Sequence, residues 1–399
     1  LVGGLAGDAL TTGDNNIAIG KSALSGEDTG NRNVAIGQSA LSALNFDGNG
    51  NNVAIGYLCG STMTTGTENT LIGTNAGDAL TSGNNNTALG YQALTTETLG
   101  DRSVAVGNFA LQLQNNTSNA DVYNTAVGFS AGATVTTGIQ NTLIGGLAGD
   151  ALTTGTRNVA IGFGALGSED TGGRNIAIGR SALSNLDAGQ DGYNVAIGDD
   201  AGFAVTTGLA NTLIGGLAGD ALTTGSDNVA IGVQALSSED TGSRNVAIGR
   251  YALLNQNHDG NAYNVAVGHS AGTDITTGIE NTIIGGLAGD ALTTGYGNVV
   301  VGHQALSAED TGRKNTAIGF EALKVQDSAT SNLNTALGYQ AGKAVSTGVQ
   351  NTILGALSGD AITTGDNNII IGHNAATSAV GADNETVIGT TTTTSALVH

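Results

Sequence analysis

Residues 141–155 read Asn-Thr-Leu-Ile-Gly-Gly-Leu-Ala-Gly-Asp-Ala-Leu-Thr-Thr-Gly, and residues 211–225 repeat them without a change. The first five positions are one instance of a shorter pattern, Asn-(Val/Ile/Thr)-Ala-Ile-Gly, which recurs 22 times between Asn16 and Gly389. Successive copies start 17 residues apart, at times 19, and once 21, between Ser103 and Asn124. The longer spacing falls at every fourth copy, giving a superrepeat of 70 residues, as from Asn158 to Asn228 to Asn298 to Asn368. Regular self-similarity at so short a period points to a solenoid, in which each repeat contacts only its neighbours.

The columns of the repeat have separate physical readings. The second position is β-branched in all 22 copies, and the fourth is always Ile, Val or Leu. That alternation marks a short strand. The fifth position is Gly in every copy, including Gly20, Gly145, Gly215 and Gly285. A glycine fixed directly after a strand implies a turn that needs positive φ or close backbone approach. The opening residue is Asn at Asn16, Asn141, Asn211 and Asn281 and is replaced only at Ser103 and Glu385. Stacked amides of this kind suggest a hydrogen-bonded ladder along an edge.

An Ala-Leu or Ala-Gly segment follows the glycine, such as Ala23-Leu24, and then a polar return such as Thr153-Thr154-Gly155. Seventeen residues suffice for two short strands and two turns, so one repeat is expected to form one coil. No stretch holds a helical period with caps. The fold class is therefore all-β: a parallel β-solenoid with one coil per 17–21 residues, a single domain over residues 1–389, and a Thr-rich exit segment at residues 390–399. Leu1-Val2-Gly3 matches Leu143-Ile144-Gly145, so the chain is expected to begin inside a repeat, as a piece of something longer.

Composition limits the function. The chain has 399 residues, 65 of them Gly, with no Pro, no Trp and 4% aromatics, so its core must be thin and aliphatic. A formal charge of −21 disfavours nucleic acid and anionic membrane surfaces as partners. The single Cys59 excludes an internal disulfide framework, and no apolar run approaches a membrane span.

The strand is apolar on both faces, with positions two and four pointing one way and position three the other. One face can line the coil; the other needs a cover. Stacked at ~4.8 Å, the strands would form a rod of ~105 Å and expose roughly 1,000 Å² of β-branched stripe. Self-association is the economical answer, and sequence leaves open which face lies inside.

The Asn-Val-Ala-Ile-Gly-x-x-Ala pattern resembles the YadA-like head repeats of trimeric autotransporter adhesins and the shafts of phage tail fibres that share them. The resemblance covers Leu1 to Gly389. It implies a left-handed β-roll, a homotrimer, extracellular display and adhesion to a surface. The longer period, and the lack of a coiled-coil stalk, favour a fibre shaft on a virion or cell surface over an adhesin head.

Several motifs invite a sharper reading. Gly162-Phe163-Gly164-Ala165-Leu166-Gly167 fits a dinucleotide fingerprint, but no helix is expected after it. Gly128-Phe129-Ser130-Ala131-Gly132 and residues 268–272 fit a hydrolase elbow without His or Asp partners. His269 and His303 sit two coils apart, too far to share a metal. The pairs Glu27-Asp28, Glu169-Asp170, Glu239-Asp240 and Glu309-Asp310 could suggest calcium; local ion pairs to Arg32, Arg174, Arg244 and Lys314 are the plainer expectation.

No catalytic, cofactor or metal residue is assigned. The insertions, which end near Tyr123, Tyr193 and Tyr263 and include Asn115, are the expected contact loops for a surface receptor or glycan. An ice-binding solenoid is the alternative, raised by Thr136-Thr137 and similar pairs. A polysaccharide-degrading β-helix enzyme would need an acidic cluster outside the repeat.

Overall fold

The computed structural model describes residues 1–118, 120–328 and 331–389, so the Thr-rich segment at 390–399 lies outside it. The described residues contain 22 strands of three residues each and no helix, from β1 (Ile17–Ile19) to β22 (Thr386–Ile388). Contacts divide the chain into two compact units, the first ending at Asp199 in sequence and the second beginning at Asp200. The first holds β1 to β11 (Val195–Ile197), and the second holds β12 (Thr212–Ile214) to β22.

Within each unit, consecutive strands pair in parallel with the repeat columns in register. Ile17, Ala18 and Ile19 face Val34, Ala35 and Ile36. In the second unit, Thr212, Leu213 and Ile214 face Val229, Ala230 and Ile231. Each 17- to 21-residue repeat is thus one coil of an all-β solenoid.

The turn glycine serves both purposes that sequence suggested. Gly145 has φ of 135°, and a Cβ built there would lie 2.5 Å from the Gly162 carbonyl oxygen of the next coil. Gly215 repeats the geometry, with φ of 135° and 2.5 Å to the Gly232 oxygen. The backbones of successive coils touch at this corner, so no side chain fits.

The return differs from the expected second strand. Coil-to-coil backbone bonds continue around it, such as Leu24 N–H to Ala40 O at 2.9 Å and Thr153 N–H to Asp170 O at 2.7 Å. Yet it forms only isolated bridges, such as Asn31 with Asn49. Left-handed residues are the reason: Ser22, Leu24 and Arg32 in one coil have φ of 55°, 51° and 61°. A strand cannot hold residues of alternating hand. Each such non-glycine residue costs roughly 1–2 kcal/mol. Leu24 is fully buried, and burying a leucine returns about 1.5–3 kcal/mol, so hydrophobic burial wins.

Burial also decides which strand face is inside. Position three is inward: Ala18, Ala160, Leu143 and Leu213 have no exposed surface. Small and large residues then complement each other between neighbouring coils. Gly132, four residues after its turn glycine, leaves a hole filled by Leu143 from the next coil and Leu111 from the previous one, 2.6 and 3.1 Å from where its Cβ would be. Gly60 is flanked likewise by Leu71 and Leu41. A core this close-packed cannot accept two large residues at one level, so the coil types must follow a fixed order. This gives the four-coil superrepeat a physical basis.

Candidate interaction surface

The conserved columns prove to be scaffold. The Oδ1 of Asn141 accepts the Asn158 backbone N–H at 2.9 Å, and its Nδ2 donates to Gly155 O at 2.9 Å. Asn211 and Asn281 do the same, through Asn228 N–H and Gly225 O, and through Asn298 N–H and Gly295 O. Asn16 accepts from Asn33 N–H and donates to Gly30 O. The ladder therefore runs mainly from side chain to backbone. It is also buried, since Asn141, Asn211 and Asn281 have no exposed surface, which corrects the expected amide stack along an edge. At Ser103 the interior has a different occupant: Gln114 Nε2 donates to the Ser103 Oγ at 2.9 Å. Glu385 keeps the rung through its N–H, which donates to Asn368 Oδ1 at 2.8 Å.

The glutamates of the Glu-Asp pairs are also interior residues. Glu27, Glu169, Glu239 and Glu309 have no exposed surface, and neither has Glu97 at the same point of its block. Each stands seven residues after its turn glycine, the column that holds Leu10, Leu80, Leu152 and Leu222 in other coils. The Glu169 carboxylate accepts Gly172 N–H at 2.6 Å and Ala188 N–H, in the inserted loop of the next coil, at 3.2 Å. Glu309 accepts Gly312 N–H at 2.7 Å, Gln326 Nε2 at 3.0 Å, Ser328 N–H and Asn332 Nδ2. Burial holds the carboxyl groups of both Glu169 and Glu309 above the usual glutamate range.

The expected local ion pairs are not found among the described residues. Arg174 pairs instead with Asp191, and Arg244 lies 3.7 Å from Asp227. Carboxylates do converge at Glu169, Asp170 and Asp187, and at Glu309, Asp310 and Asp327, within 4.8 Å in each set. In both sets the buried glutamate oxygens already accept N–H donors, which leaves an exposed aspartate pair rather than an open cage.

The inserted loops are less free than their sequence suggests. Asn115 Oδ1 accepts the Thr98 hydroxyl at 2.9 Å, and Asn116 N–H is bonded to the buried Glu97. Tyr123, Tyr193 and Tyr263 are about half exposed, each under a guanidinium, from Arg102, Arg174 and Arg244, at 5.8, 5.3 and 5.7 Å from the ring centroid. Sequence reasoning treated two of these arginines, Arg174 and Arg244, as partners of the Glu-Asp pairs. The column immediately before the ladder Asn, where Tyr123, Tyr193 and Tyr263 follow Arg102, Arg174 and Arg244 in the next coil, was the available signal.

The outward strand face is the largest feature left. In most strands positions two and four are partly exposed on either side of a buried position three. Ile19, Ile144, Ile284 and Leu354 are 41, 37, 40 and 40% exposed. Next to position four, beyond the turn glycine, comes a column with exposed aromatics: Tyr57, Tyr91, Phe129 and Phe163 in the first unit, Phe320 and Tyr339 in the second. Phe320 stacks on His303 at 5.6 Å and on Tyr339 at 5.5 Å. The dinucleotide-like and elbow-like stretches belong to these turns: Gly164 and Ser130 are left-handed corner residues, with φ of 63° and 53°. Cys59 is core, its thiol pushed up to about 12 by burial.

No protein-family model matches the chain, and no curated protein is significantly similar to it.

Proposed function

We propose that the chain is a non-enzymatic structural and adhesive element, the shaft of a fibre displayed outside a virion or cell, assembled from three copies. The observation that carries this reading is the outward strand face. Eleven strands at ~4.8 Å, with a stripe ~10 Å wide, leave about 500 Å² of mostly apolar surface in each unit. Each stripe by itself supplies more than half of the ~800 Å² that one partner contributes to a stable protein interface. Each also stands at the upper end of what a soluble monomer normally leaves uncovered, where such patches commonly mark interaction sites. A second copy presents the same β-branched stripes. The number three comes from the resemblance to trimeric adhesin heads and tail-fibre shafts.

The repeat argues against catalysis, because like residues are spread along a column rather than converging on one reacting atom. Receptor or glycan contacts then belong to the inserted loops or to parts beyond this chain. The ice-binding alternative loses support from the threonines: Thr136, Thr153 and Thr206 donate their hydroxyls to backbone oxygens of the next coil. Light scattering on the chain, expressed alone and with its native flanking sequence, tests the assembly. A particle of three chain masses is expected, and a soluble monomer in both preparations would overturn the reading.

A further inference from the structure

The outward strand face has two chemically unlike edges. One is the column before the ladder Asn, all in left-handed backbone. Over six successive coils of the first unit it reads Arg102, Tyr123, Gln140, Arg157, Arg174 and Tyr193. This edge carries three cations, of which Arg102 and Arg174 already pair with Asp121 and Asp191. Arg157 is exposed and gives one N–H to Gln140 Oε1 at 3.0 Å. The other edge is the column after the turn glycine, where Phe129 and Phe163 are 57 and 61% exposed, the latter the more open. In the coil of β9 (Val159–Ile161), Arg157 marks one edge and Phe163 the other.

Symmetry determines how such edges meet. An axis parallel to the stack turns the Asn-side edge of one chain towards the Gly-side edge of the next, at the same height. A two-fold axis across the stack instead sets like edges against each other. In the first case Arg157 meets Phe163 and Tyr123 meets Phe129. In the second, the Asn-side edge with the exposed Arg157 faces its own copy and not the aromatics. The second unit has the same arrangement: Lys314 and Phe320 occupy opposite edges of one coil, and Phe320 is 41% exposed. A cation over an aromatic face is attractive, whereas like charges opposed at an interface are repulsive.

We propose that copies of this chain pack in parallel and in register, with Arg157 of one chain over the Phe163 ring of the next, and with the edge carrying Lys314 set against the edge carrying Phe320, whose ring is already stacked on His303 and Tyr339. The outward face supplies bulk attraction, and the unlike edges select direction and register. The proposal rests on the self-association reading above and adds which residues meet.

Cysteine cross-linking of the full chain tests it. In the double variant R157C/F163C, the two sites of one chain lie ~15 Å or more apart across an extended strand, beyond the ~7 Å limit for a disulfide, so they cannot bridge internally. Cys59 is buried and free, so it does not compete. Under mild oxidation the double variant should form covalent oligomers, and neither single variant should. K314C/F320C repeats the test in the second unit, should the first pair disturb folding. Covalent dimers from R157C alone would mean that like edges meet and would overturn the proposal. A particle of several chain masses in which neither oxidation nor a bifunctional thiol reagent of about 10 Å reach cross-links either double variant would also overturn it, while leaving self-association intact. A monomer by light scattering would remove both readings.

Discussion

Two buried glutamates occupy the same column in different units and are held differently. Below Glu169 the next coil places Leu186 in that column; below Glu309 it places Gln326. Glu169 relies on backbone donors, Gly172 and Ala188. Glu309 has the equivalents, Gly312 and Ser328, and adds the side chains of Gln326 and Asn332. Gln326 passes the network on, since its Oε1 accepts Asn334 Nδ2 at 2.9 Å. Both arrangements fold into the same coil. The comparison teaches that the essential bond is between the carboxylate and the inserted loop's backbone, while the glutamine is an extension. The glutamate supplies an acceptor where a wider coil turns donors inward.

The largest effect should follow from removing the acceptor. Glu309→Ala leaves the donors of Gly312, Ser328, Gln326 and Asn332 facing a cavity. Each buried orphan costs about 1–3 kcal/mol, partly relieved by water and rearrangement. A loss of about 4–6 kcal/mol is expected for Glu309→Ala and about 3–4 kcal/mol for Glu169→Ala, with its fewer donors. Because solenoid stability is nearly a sum over neighbouring repeats, the loss should be local. Amide exchange should accelerate at Ser328 or Ala188 and stay slow four coils away. Equal losses in the two variants would erase the comparison.

Much of this fold was legible beforehand. A turn glycine after every β-branched strand gave coil length, strand position and register, since those depend on columns that never vary. The inside of the coil was not, because position three is Ala beside Val and Ile, and hydrophobicity alone cannot rank them. The second strand of the return was misjudged because left-handed leucines such as Leu24 carry no sequence mark. The buried glutamates had a mark that went unread. Counting seven residues from Gly3 gives Leu10, and counting seven from Gly20 gives Glu27, the same interior column. An acidic residue next to Asp and ahead of Arg looks like surface, and only alignment of the coil types shows otherwise.

The pH dependence should sharpen the comparison at smaller energies. Burial raises the Glu169 carboxyl, with the charges of Asp187 and Asp170 adding to it. Burial also raises Glu309, where four hydrogen bonds act in opposition. A carboxyl with a folded pKa above its unfolded one binds its proton more tightly when folded. Its stabilising contribution is therefore full at acid pH and is lost as the pH rises through the folded value. Amide protection around Ala188 should increase as pH is lowered from about 7 to about 5, after correction for intrinsic exchange rates. Glu169→Gln should flatten that local response. A response that survives the substitution would assign it to the general relief of a strongly acidic surface.

The smallest expected effect is that of Gln326→Leu, which gives the Glu309 block the core of the Glu169 block. The variant loses a hydrogen bond to a charged group, nominally about 1.5–3 kcal/mol, and gains leucine burial of about 1.5–3 kcal/mol. Asn334 Nδ2 keeps Gly348 O at 2.7 Å, so it is not orphaned. The terms nearly cancel, and a net change within about 1 kcal/mol is expected by local amide exchange. The pH response should steepen, because one of the donors holding the Glu309 carboxyl down is gone. If Gln326→Leu proved as damaging as Glu309→Ala, the glutamine would be the anchor in this block and the two glutamates would be held by different principles. A near-neutral result with a steeper pH response would identify the loop backbone as the common anchor and the glutamine as a tuning residue.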